Sequence, residues 1–129
     1  KLGSILQRVS DLMHTGADIP LLEENSDMQH VLLEMTSKRL GCVGFINSDG
    51  RLTGMLTDGD LRRCMSADIF NRKAFELMTR NPKTVAKEIM ASEVLKIMND
   101  KKITNIFVVE NNKPVGVVHI HDLLNQGVA

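Results

Sequence analysis

The sequence predicts an α+β fold made of two β-α-β-β-α repeats packed face to face as a pseudo-two-fold pair. Three observations carry that expectation. The string Gly54-Met55-Leu56-Thr57-Asp58-Gly59-Asp60-Leu61-Arg62-Arg63 runs from an apolar stretch through a polar turn into a helical pattern, and its design returns about sixty residues later as Gly116-Val117-Val118-His119-Ile120-His121-Asp122-Leu123-Leu124. The apolar helix face Val31-Leu32-Leu33-Glu34-Met35 is echoed by Val94-Leu95-Lys96-Ile97-Met98. The β-like run Val43-Gly44-Phe45-Ile46 matches Ile106-Phe107-Val108-Val109. Self-similarity of this kind marks one supersecondary unit written twice.

Each element follows in order. Val9-Ser10-Asp11-Leu12-Met13-His14 opens the first copy and Ala74-Phe75-Glu76-Leu77-Met78-Thr79 the second. Short extended pieces come next, Ile19 to Leu22 and Lys83 to Ala86, beside Pro20 and Pro82, which bias the preceding residue away from the α region. Ser26-Asp27-Met28-Gln29 has the spacing of a capping box, Ser26 as the cap. Met28, Val31, Leu32 and Met35 then recur at helical spacing, as do Ala91, Val94, Leu95 and Met98 without a clear cap. Two β-like runs flank a turn in each copy: Cys42 to Ile46 and Leu52 to Thr57 around Asn47-Ser48-Asp49-Gly50, then Ile106 to Val109 and Pro114 to His119 around Glu110-Asn111-Asn112-Lys113. Gly50 and Asn112 suit left-handed turn positions. Final helices are expected over Leu61 to Met65 and Asp122 to Asn125. The polar stretch 66–73 reads as a linker, which divides the chain into 1–8, a first repeat 9–66 and a second repeat 67–129. One repeat is too small to bury its sheet alone, hence the pairing.

Composition narrows the function. At 129 residues and 43% hydrophobic content the chain can build an ordinary core, burying roughly two-thirds of its unfolded surface. Sixteen basic and sixteen acidic residues cancel, which argues against nucleic acid as a partner. Aromatic residues, at 3%, are too few for base-stacking platforms. No apolar run approaches the roughly 20 residues that span a bilayer. Cys42 and Cys64 fit no CxxC pattern and read as reduced thiols of a cytoplasmic protein. The start at Lys1-Leu2-Gly3, without Met, reads as a cut from a longer chain. No Walker loop, GxGxxG or nucleophile elbow is present, so no catalytic residue is assigned.

The Gly-apolar-apolar-Thr-x-x-Asp-Leu string at Gly54 to Leu61, within a repeat running from Val9 to Leu124, resembles a tandem pair of cystathionine-β-synthase (CBS) domains, a Bateman module. The resemblance implies that Thr57 and Asp60 of the first copy, and Asp122 of the second, contact the ribose and phosphate of a bound nucleotide. His119 stands where that family usually has Thr or Ser. Leu12 to Pro20, Thr57 to Arg63 and His119 to Leu124 together are similar to the C-terminal half of bacterial arabinose-5-phosphate isomerases. Those enzymes interconvert ribulose 5-phosphate and arabinose 5-phosphate for the lipopolysaccharide sugar Kdo, using a sugar-isomerase (SIS) domain that precedes the CBS pair. The resemblance implies a regulatory fragment without catalysis and without a required cofactor. Its ligand would be a nucleotide or nucleotide-sugar (CMP-Kdo, AMP or ATP), its covalent partner the SIS domain, and its assembly a homodimer of CBS pairs. The alternative is a module that only assembles isomerase subunits.

The candidate binding residues are Thr57, Asp58, Asp60, Arg62 and Arg63 at the first junction and His119, His121 and Asp122 at the second, with His14, Thr15, Lys83 and Thr84. Each has a plainer reading. Thr57, Asp58 and Asp60 are good helix-start residues. Arg62 and Arg63 are ordinarily solvated charges, although a guanidinium offers paired donors to phosphate, and Lys38, Arg39, Lys83 and Lys101 compete for that role. His14 reads as a turn residue, able to line a ligand cleft with Thr15. His119 and His121 have metal-ligand chemistry but no third ligand, and a strand ending at His119 should turn them apart, so no metal is assigned. The eight methionines read as core filling. The first junction, which keeps the Thr–Asp pairing and adds two arginines, is expected to bind more tightly.

Overall fold

The computed structural model describes residues 6–128; the expected connecting piece Lys1-Leu2-Gly3 lies outside them. The chain divides into two compact units, one of residues 20–82 and one of the described residues to Ile19 together with 83–128. In the first, β1 (Leu21–Glu23), β2 (Cys42–Ile46), β3 (Leu52–Thr57) and β4 (Thr79–Arg80) lie in that order, β1 parallel to β2 and the other pairs antiparallel. In the second, β5 (Thr84–Ala86), β6 (Asn105–Glu110) and β7 (Lys113–His119) repeat the parallel-then-antiparallel order. Each parallel pair is joined through a helix, as a parallel crossover requires: α1 (Met28–Lys38) and α4 (Ala91–Lys101). The ladders carry matching irregularities at Phe45/Ile46 and Val108/Val109.

The α1 cap differs from expectation by one residue. Asp27, not Ser26, is the N-cap, its carboxylate accepting the His30 N–H at 3.0 Å. An Asp serves as well as a Ser there, and the chain can register on either. Met90 precedes α4 with no side-chain cap, as the sequence suggests. Gly50 is left-handed at φ 79°. In the second hairpin both Asn111 and Asn112 have positive φ, 54° and 62°, the conformation a two-residue hairpin loop asks of its central pair. The short helices after β3 and β7 begin earlier than expected, α2 at Asp58–Cys64 and α5 at Ile120–Asn125, because Thr57 and His119 cap them.

Each unit has its own buried cluster. In 20–82 it includes Met28, Val31, Met35, Val43, Phe45, Leu56, Ala74 and Met78. In the discontinuous unit Val9, Val85, Val94, Met98, Ile106, Val118 and Leu123 are among its members. The stretch 66–73 is more than a linker: Ile69 is 3% exposed within the first cluster, and Lys73 bridges to Asp27. The helix α3 (Ala74–Leu77) and the strand β4 complete the 20–82 unit. Val9 to His14 completes the other, through a 3-10 turn at Val9–Asp11 and a bridge from His14 to Val117. The segment that opens each sequence repeat is thus built into the unit that holds the other repeat's strands.

Two glycines explain the fit. A Cβ on Gly54 would run into Sδ and Cγ of Met78, and one on Gly116 into the same atoms of Met13. In both strands the glycine is the slot for a methionine from the incoming segment.

Candidate functional site

The two junctions are built on one plan. At the first, β3 ends at Thr57 and α2 starts at once; Thr57 Oγ1 accepts the Asp60 N–H at 3.1 Å, and Asp60 Oδ2 accepts the Thr57 N–H at 3.0 Å. This is a reciprocal capping box. Both residues serve the same cap, so capping does not fall to Thr57 alone. Arg63 donates to Asp60 Oδ1 at 2.7 Å. The Asp58 N–H bonds to the Gly41 carbonyl at 3.0 Å, and its carboxylate lies over Gly41, where a Cβ would sit 3.0 Å from Oδ2. Arg62 is exposed and makes no ion pair among the described residues. Lys38 is tied to Glu34 at 3.0 Å, which removes it from competition for an anion.

At the second junction His119 replaces Thr and keeps the function. Its Nδ1 accepts the His121 N–H at 3.0 Å, and Asp122 Oδ2 accepts the His119 N–H at 2.8 Å. An accepting Nδ1 puts the proton of that neutral ring on Nε2. The His119 and His121 rings are 4.6 Å apart at 52°. The strand does end at His119, but the tight start of α5 keeps the pair together rather than turning it apart. Among the described residues no group of three or more His, Cys, Asp or Glu is arranged to hold a metal.

His14 is not a turn residue. It extends along β7, exchanging backbone bonds with Val117 at 2.9 and 3.1 Å, and its Nε2 meets Asp122 Oδ2 at 2.9 Å. Thr15 caps the 3-10 turn Gly16–Asp18 with its backbone only and is exposed. Lys83 and Thr84 are not gathered with these groups. Thr84 pairs with Phe107, Phe107 with Val117 and Val117 with His14, so Thr84 and His14 stand at opposite ends of one row across the sheet. The contact between His14 and Asp122, 108 residues apart, has no local signal in the sequence.

Beside the first junction a groove of about 300 Å³ runs between Leu32, Met35 and Arg39 of the α1 end and Gly41, Asp58 and Leu61. Of the first junction's candidates only Asp58 lines it. Beneath, burial pushes the Cys42 thiol up to about 12, with the Asp58 charge adding to the effect.

The CBS domain family profile matches residues 9–67 and 74–128. The chain belongs to the CBS domain family. Arabinose 5-phosphate isomerase KdsD of Pseudomonas aeruginosa is 42% identical over 127 residues, 96% of this chain and 39% of that protein. An uncharacterized protein of Rickettsia prowazekii is 40% identical over 128 residues, 99% of this chain and 40% of that protein. The chain thus spans about 40% of the length of these relatives. Among solved structures, the CBS domain pair of protein MJ0100, in complex with 5′-methylthioadenosine and S-adenosyl-L-methionine, superposes with TM-score 0.82 at 20% identity, covering 93% of this chain and 94% of that one. The CBS domain of a bacterial CNNM/CorC family Mg²⁺ transporter, in complex with ATP, gives 0.81 at 19% identity over 97% and 89%. These likenesses establish the fold of the CBS pair here.

Proposed function

We propose that this CBS pair is a regulatory module that binds a nucleotide or nucleotide-sugar and biases an attached arabinose-5-phosphate isomerase domain. The observation that carries the reading is the repeated junction, where the first turn of the helix that follows a strand presents a partly exposed carboxylate, Asp60 or Asp122, beside the strand's last residue. A carboxylate at that place accepts ribose hydroxyls, and the neighbouring arginines attract phosphate. The adenosine ligands of the MJ0100 and CNNM/CorC structures support a nucleotide of the same class. The identity to KdsD isomerases supports the attached enzyme, and with it a place in the cytoplasmic supply of Kdo for lipopolysaccharide. That pathway makes CMP-Kdo a candidate feedback ligand beside AMP and ATP. The binding residues are Thr57, Asp58, Asp60, Arg62, Arg63, His119, His121 and Asp122, with His14 and Thr15 on the incoming segment, Thr84 at the start of β5 and Lys83 just before it. The ligand would act on the enzyme only through a difference in affinity for two arrangements of the module.

Calorimetric titration with AMP, ATP, S-adenosylmethionine and CMP-Kdo tests this. Saturable heat with at least one, and a matching thermal shift, is the expected result; neither from any of the four defeats the proposal. A second reading, an assembly module without ligand, is favoured by Leu33 on α1 and Leu124 on α5, exposed at 63% and 49%. Sedimentation showing a dimer of the chain, with no heat in any titration, would support that reading instead.

A further inference from the structure

The two junctions share a cap but differ in whether it can titrate. At the first, the acceptor is the Thr57 hydroxyl, which takes the Asp60 N–H at 3.1 Å and gains no proton between about pH 5 and 8. At the second, the acceptor is a ring nitrogen: His119 Nδ1 takes the His121 N–H at 3.0 Å. That nitrogen accepts only while it is unprotonated, because an imidazolium has a donor on both nitrogens. Three of the chain's four histidines meet here, so more than one ring can take up a proton. His121 faces His119 at 4.6 Å between ring centres. Asp122 Oδ2 accepts the His119 backbone N–H at 2.8 Å and meets Nε2 of His14, on the incoming segment, at 2.9 Å. On β6 the residue paired with His119 is Asn105, which carries no charge.

We propose that the second junction is an acid-sensitive cap: protonation of His119 withdraws the acceptor that starts α5, while the Thr57 cap on α2 stays whole. With hydrogen on Nδ1, the ring and the His121 N–H would meet donor to donor, so the ring turns away or the first turn of α5 opens. A charge on the His121 ring adds repulsion. The Asp122 charge works the other way, since a carboxylate favours an imidazolium nearby. The ring nitrogen that meets this carboxylate, however, belongs to His14. His14 can donate from Nε2 both as the neutral tautomer and as the imidazolium, so its bond to Asp122 survives acidification. Acid therefore leaves the hold on the incoming segment and removes the hold on the helix. The cap requires neutral His119, so its contribution is whole above the unfolded imidazole value, about 6.5, and is lost as pH falls below it. None of this requires a bound ligand.

Solvent exchange of backbone amides in the whole chain tests this, followed by NMR between about pH 7.5 and 5.5 and corrected for the intrinsic pH dependence of exchange. Protection of the His121 N–H should fall about fivefold over that range relative to the Asp60 N–H, the usual effect of a lost N-cap. Equal behaviour of the two amides in the unaltered chain overturns the proposal, and that comparison needs no variant to fold. His119→Thr places the first junction's acceptor at the second and should make protection at the start of α5 as insensitive to pH as at α2. His14→Gln keeps a donor for Asp122, and His121→Gln removes the neighbouring titratable ring; both should retain the fall. A fall that persists in His119→Thr, or vanishes in either glutamine variant, would put the sensitive proton on another residue and overturn the assignment to His119.

Discussion

Thr57 shows how much one hydroxyl settles. It ends a strand, starts a helix and closes half of a reciprocal cap with Asp60. Thr57→Ala should cost about 1 kcal/mol in urea unfolding, the usual worth of a lost N-cap, and Thr57→Ser close to nothing. His119 shows that the cap tolerates a different chemistry, its ring nitrogen accepting the N–H two residues on where the Thr57 hydroxyl accepts the one three residues on. Cys42 gives a second residue-level expectation. Because burial and the Asp58 charge hold its thiol near 12, almost no thiolate exists at pH 8, and the thiolate is the reactive form. Iodoacetamide at pH 8 should leave Cys42 unmodified in the native chain and label it in denaturant, a difference readable by peptide mass. These roles were partly legible in advance: Thr57 and Asp60 as helix-start residues follow from residue type, since short polar side chains reach backbone N–H groups. The His14–Asp122 bond was not, because a contact across 108 positions depends on where the incoming segment is laid down.

At the scale of elements, periodicity reported existence and order well and ends less well. The strands Cys42–Ile46 and Leu52–Thr57 fall where the apolar runs place them, and the α4 face Ala91, Val94, Leu95 and Met98 is buried throughout. Helix starts moved because capping is a competition among adjacent polar residues, and Asp27 wins over Ser26 through its two contacts with His30. The His30 backbone N–H, chiefly, holds the Asp27 carboxyl below its ordinary value of 3.8. Hydrogen bonds from Ser66 to Asp68 and from the Lys73 N–H to Glu76 likewise lead the lowering of those two groups. A carboxyl lowered by folding contributes stability above its unfolded value and loses it as pH falls through the folded one. Stability should therefore decline below about pH 4 as these carboxyls protonate, measured as a falling urea midpoint between pH 5 and pH 3. The glycine slots make a sharper test. Gly54→Ala should destabilise by roughly 1–3 kcal/mol through overpacking against Met78. With Met78→Ala already present the same change should cost much less, and a double-mutant cycle reads the coupling.

For the whole chain, family boundaries and compact units cut in different places. The family profile runs over 9–67 and 74–128, whereas the compact units are 20–82 and the remainder. No composition signal marks this exchange, because Val9 to Met13 and Ala74 to Met78 are similar in pattern and each ends in a methionine that seats against a strand glycine. A chain lacking the residues before Pro20 should lose amide-exchange protection in β6 and β7 while β2 and β3 retain theirs. Equal loss in both sheets would show that the units do not hold separately.

The exchange also opposes the order of synthesis to the order of assembly. A ribosome makes Val9, Leu12 and Met13 before the 20–82 stretch, yet their partners in the discontinuous unit, from Val85 to Val128, are made after it. The 20–82 stretch has all of its strands and helices once Pro82 has emerged, so it can close while Val9, Leu12 and Met13 still wait. Throughout that interval the nascent chain carries these apolar side chains without their partners. Any stall in translation between Pro82 and Val128 lengthens the exposure, which makes the synthesis of residues 83–128 a vulnerable period for this CBS pair.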